Sequence, residues 1–83
     1  MNTTRKVFAC KITRQFCDQG KLRKETFWLD LGIQCNAETN EPNRPNLLDT
    51  SHNDWRKVEL YEYGGNMPSV KRCAGDYVAT FKA

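Results

Sequence analysis

Between Phe27 and Cys35 every odd position is apolar: Phe27, Leu29, Leu31, Ile33 and Cys35, with Asp30 and Gln34 set between them. Strict period-two alternation marks a strand with one buried and one wet face, since a helix would scatter these residues around its circumference. This is the longest apolar face in the chain, and it predicts the centre of a small sheet. Residues 5–17 alternate in the same way. Phe8, Cys10, Ile12 and Phe16 share one side, with Arg14 as the exception, and Val7, Ala9, Lys11 and Thr13 share the other. Asp18-Gln19-Gly20-Lys21 is a turn signal, with glycine available for a positive φ. A hairpin between 5–17 and 22–35 is therefore the simplest reading. Its register follows from phase: even positions of the first strand and odd positions of the second must face one core. A two-residue Gln19-Gly20 loop satisfies this, pairing Asp18 with Lys21, Ile12 with Phe27, Cys10 with Leu29 and Phe8 with Leu31. A bulge at the glycine is the competing arrangement.

Residues 36–54 are dominated by asparagine, proline and small polar side chains and read as a long loop. Leu47 and Leu48 are its only anchors, and a short helical turn fits after Pro45. Connections of this length are often functional, but a solvated loop pinned by two leucines is the first reading. Asp54 could cap a helix over 55–63, yet Val58, Tyr61 and Tyr63 favour a strand. Val58 and Leu60 would lie on one face, Tyr61 and Tyr63 on the other. Gly64-Gly65-Asn66 ends that strand. Tyr77, Ala79 and Phe81 then alternate with Val78 and Thr80, and Gly75 suggests a bulge or bend. The expected fold is mainly β, or a small α+β. It is a single twisted antiparallel sheet of about four strands, two hairpins joined by a long polar loop. Residues 1–83 form one small domain.

The chain has 83 residues, 39% of them hydrophobic and 28% charged, which suits a globular domain rather than a disordered tail. A chain this short buries only about 60–65% of its unfolded surface, so contact on an outer face is expected over a deep pocket. No run approaches the ~20 apolar residues of a membrane-spanning helix. The apolar piece Val7-Phe8-Ala9-Cys10 is too short for a signal-peptide core, and a cytoplasmic, non-membrane protein is the expectation. Cys10, Cys17, Cys35 and Cys73 contain no C-x-x-C pair, and His52 is the only histidine. Free thiols are thus favoured over a disulfide frame or a zinc site. No nucleophile, acid–base pair or phosphate loop is recognisable. The expectation is a non-enzyme with neither cofactor nor metal.

Charge is unevenly distributed. Residues 1–24 carry seven basic side chains against Asp18, whereas residues 25–62 carry eight acids against Arg44, Arg56 and Lys57. Two binding surfaces follow. Arg5, Lys11, Arg14, Lys24 and Trp28 combine phosphate-seeking charge with a ring on which a base can stack, and are the nucleic-acid candidates. Trp55, Tyr61, Glu62, Tyr63 and Trp28 are the protein-interface candidates, because aromatic side chains dominate interface energetics. In size and motif-poor texture the chain resembles the short proteins that phages and mobile elements encode to block host machinery. That resemblance implies an inhibitor that docks on a larger protein partner, with nucleic-acid binding as the alternative. The open sheet leaves edges, so the protein is read as a monomer or as a homodimer through an edge strand.

Overall fold

A computed structural model describes residues 3–50, 54–64 and 74–83. These residues form one antiparallel sheet from β1 (Thr3–Asp18), β2 (Lys21–Asn36), β3 (Trp55–Tyr63) and β4 (Ala74–Lys82), with a 3-10 turn at Asn46–Asp49. The β1–β2 hairpin takes the register that alternation demands: Asp18 opposes Lys21, Ile12 opposes Phe27, Cys10 opposes Leu29 and Phe8 opposes Leu31. Its turn has φ of 49° at Gln19 and 78° at Gly20. Two successive left-handed residues are the type I′ geometry, whose twist matches that of the flanking strands.

The strand order is β2-β1-β3-β4. This corrects the expectation that Phe27–Cys35 lies at the centre of the sheet. β2 is an edge strand, and β1 is central, pairing with β2 on one side and β3 on the other. The connection over 37–54 explains the reversal, because it is long enough to cross the sheet before the chain returns. It first follows the β2 edge through the Cys35–Pro42 bridge. It then crosses the apolar face, burying Pro45 and Leu48, and delivers β3 beside β1. Only one of the two expected leucine anchors is used: Leu48 is 6% exposed, Leu47 46%.

The core is one cluster of side chains from β1, β2 and β3 on the face that this loop covers. Phe8, Cys10, Ile12, Ile33, Cys35, Leu48, Val58 and Leu60 are buried together, with Phe27, Leu31, Trp55, Val78 and Phe81 packed at the margin. Cys10, Cys17 and Cys35 are free thiols, and the two buried ones fill space as small apolar groups. Burial pushes the Cys10 thiol up to about 11.

Three register shifts break the period-two pattern, and two of them move an aromatic ring. Thr13 pairs with Lys57 but Arg14 pairs with Trp55, so Arg56 is the extra residue. Trp55 is thereby turned to the core face, edge-on to Phe27 at 6.1 Å between ring centroids. Across β3 and β4, Leu60 pairs with Ala79 but Tyr61 with Tyr77, which makes Val78 the extra residue. Simple alternation puts Tyr77 on the face of Ala79 and Phe81. The bulge instead carries it to the opposite face, where it is 57% exposed. The pairing shifts again before Tyr63 meets Ala74, the bend expected at Gly75.

Candidate binding surface

The face of the sheet opposite the core collects the odd positions of β1, the even positions of β2, Lys57, Glu59 and Tyr61 of β3, and Tyr77, Thr80 and Lys82 of β4. Three rings run across it. Trp28 meets Tyr61 at 5.3 Å with a 44° tilt, and Tyr61 meets Tyr77 at 5.7 Å, edge to face. Tyr77 shares a 2.6 Å hydrogen bond with Thr80. β1 lies between Trp28 and Tyr61, and its residue at the crossing is Ala9. The small side chain leaves room for the rings to close above it, and Ala9 is fully buried although it lies outside the core. The ring that Trp28 contacts is therefore Tyr61, while Lys11, its partner in the ladder, stands beside the row.

Charge on this face is predominantly positive. Arg5, Lys11, Lys24, Lys57 and Lys82 stand against Asp30 and Glu59, and Lys57 lies 3.5 Å from Glu59. The Arg5 side chain lies in the space that a Cβ at position 32 would fill, so Gly32 keeps it flat against the sheet. Beside it, an open groove of about 410 Å³ separates the loop from β2. Its lining includes Arg5, Gln34, Asn43 and Leu47, and no serine, cysteine, histidine or carboxylate.

The structure sorts the residues singled out from the sequence. Arg5, Lys11, Lys24 and Trp28 share the outer face. Arg14 does not: it lies over the Phe16 ring at 4.4 Å on the core side, held by Asp54 at 2.9 Å and Glu25 at 3.4 Å. Of the protein-interface set, Trp28 and Tyr61 touch. Trp55 packs against the core, and Glu62 lies on the core face, 3.3 Å from Lys6. Tyr63 is half-buried past the last β1–β3 pair. Tyr77 was missed as a site residue, because alternation places it among core residues and only the bulge at Val78 brings it out. His52, Cys73 and the residues after Gly64 in the expected turn lie outside the described residues.

Acidic residues of the middle segment are dispersed rather than gathered. Glu25 and Asp54 engage Arg14, Asp49 engages Arg44, Glu59 engages Lys57 and Glu62 engages Lys6. Among the described residues no three histidine, cysteine, aspartate or glutamate side chains could hold a metal ion together. No described helix is long and apolar enough to cross a membrane. No known protein family, curated protein or solved structure matches the chain.

Proposed function

We propose that this protein is a non-enzymatic binding module that takes single-stranded nucleic acid on the outer face of its sheet. The observation that carries the reading is the Trp28–Tyr61–Tyr77 row within a face bearing five basic side chains against two acidic ones. Rings on an open sheet offer flat surfaces for unstacked bases, and flanking lysine and arginine meet the phosphates. The ring row is open to solvent at Tyr77, Lys11 lies opposite Trp28, and Lys24 lies four residues before Trp28 on the same face of β2. Such a surface selects for unpaired bases and reads little sequence. A reducing cytosol is the setting proposed with it, where cysteines remain thiols.

The test is a titration of fluorescent single- and double-stranded oligonucleotides at several salt concentrations. Micromolar or tighter binding of single strands is expected, with each lost phosphate contact lowering the log–log salt slope by about 0.7. Replacing Tyr77 by alanine should weaken binding roughly 5- to 150-fold, the worth of one stacked base. Replacing Arg5, Lys11 and Lys24 together should abolish it while far-UV circular dichroism stays unchanged. An absence of binding at low salt refutes the proposal. The same rings support a second reading, in which the face docks on and occludes a protein, as a phage-type inhibitor does. Its support is the half-open aromatic row, because tryptophan and tyrosine anchor protein interfaces. Capture of a protein partner that depends on Tyr77, without nucleic-acid binding, would favour it.

A further inference from the structure

The outer edge of β2 is a long stretch of main chain without a strand partner among the described residues. In the hairpin register the odd residues of β2 exchange hydrogen bonds with β1, so the even residues turn their N–H and C=O groups outward. The end of the strand shows this directly. The Asn43 N–H donates to the Gln34 carbonyl at 2.8 Å, and the Asn36 N–H to the Glu41 carbonyl at 2.9 Å. The loop closes the edge there and nowhere else among the described residues. From Leu22 to Gly32 the edge is open, with no proline and no register shift. The β4 edge differs, being nine residues long and twice interrupted. Long, straight, open edges invite strand addition, and bulges protect against it.

The hairpin arm makes the same demand. β3 pairs with β1 only as far as Arg14. Beyond it, residues 16–24 are held chiefly by each other, with Leu22 70% exposed. A two-stranded ribbon is marginal without a third strand.

We propose that β2 pairs antiparallel with β2 of a second copy about a two-fold axis at Phe27, joining two sheets into one of eight strands. The open stretch from Leu22 to Gly32 is symmetric about Phe27, so this register uses all of it. Outward-turned Leu22, Lys24 and Thr26 then oppose Gly32, Asp30 and Trp28 of the second copy, and the reverse pairs repeat them. That makes roughly a dozen main-chain hydrogen bonds. Lys24 faces Asp30 of the other copy twice, a charge match that self-pairing strands need. Each arm gains the strand it lacks. The two ring rows become neighbours on a single face, although the dimer does not depend on what that face binds.

The experiment is sedimentation equilibrium on the full chain from about 5 to 500 μM, with three variants. The wild type should form a dimer. Thr26→Pro removes an outward N–H and leaves the β1 ladder intact, so it should sediment as a monomer with unchanged circular dichroism. Asp30→Lys places like charges in apposition twice and should weaken dimerisation about tenfold or more. Lys24→Asp combined with Asp30→Lys restores the match and should recover it, which holds even if the proline variant fails to fold. A wild type that stays monomeric throughout overturns the proposal. So does a folded Thr26→Pro that still dimerises, or a double reversal no better than Asp30→Lys alone.

Discussion

Leu48 holds the long connection onto the sheet, and its replacement measures how much of the fold depends on that crossing. The side chain is 6% exposed and sits with Phe8, Ile12, Val58 and Leu60. Leu48→Ala removes three buried carbons, worth about 0.8 kcal/mol each in transfer, before any cavity term. The surrounding loop can partly collapse into the space, so the lower end of the leucine-to-alanine range applies, about 3 kcal/mol. A domain of 83 residues has of the order of 4–12 kcal/mol of total stability, so the loss is a large fraction. It corresponds to a fall in Tm of roughly 12–24 °C at this size. Leu47→Ala is the control. That residue is 46% exposed and its truncation should cost under about 1 kcal/mol. Urea unfolding followed by tryptophan fluorescence and by circular dichroism measures both. Equal losses for the two variants, or under about 1 kcal/mol for Leu48→Ala, would refute the assignment of the loop as a structural cover.

Other expectations follow from single features. Gln19 adopts φ of 49°, a left-handed conformation that asparagine accepts more readily. Gln19→Asn should stabilise the hairpin by about 0.5–1 kcal/mol, and an unchanged or lower urea midpoint would count against the turn assignment. Burial raises the Cys10 thiol from 9.0 to about 11, so the unfolded chain ionises first as pH rises. Stability should be unaffected by this group below pH 9, then fall by about 2–3 kcal/mol as pH approaches 11. Cys10→Ala should remove that part of the slope. Thiol reagents at pH 8 should modify exposed Cys17 well before buried Cys10 and Cys35 in a Cys73→Ser background. Ala9→Val should part the Trp28 and Tyr61 rings above it, lowering stability by about 1–3 kcal/mol through overpacking; an unchanged melting point would contradict the packing described.

The sequence by itself determined the first hairpin, whose features depend on alternation and turn chemistry. The Phe8–Ile12 and Phe27–Cys35 faces, the two-residue turn and the hairpin register follow from period-two patterning, because a one-residue slip would turn an entire apolar face to water. The polar loop and its short turn after Pro45 were legible too, whereas residues 55–63 fitted a capped helix as well as the strand that they form. The grouping of Arg5, Lys11, Lys24 and Trp28 was also legible, since the hairpin register ties them together. What only the tertiary structure decided is long-range. Local patterning does not specify whether β3 joins β1 or β2, and a connection long enough to cross the core face, with Leu48 to bury there, made β1 central and left β2 open at the edge. The extra residues Arg56 and Val78 carry no local signature, yet each inverts the facing of everything beyond it. One took Trp55 into the core and the other brought Tyr77 out beside Tyr61. The ring row is therefore completed by one single-residue shift in the β3–β4 pairing, and that shift depends on how one strand meets another.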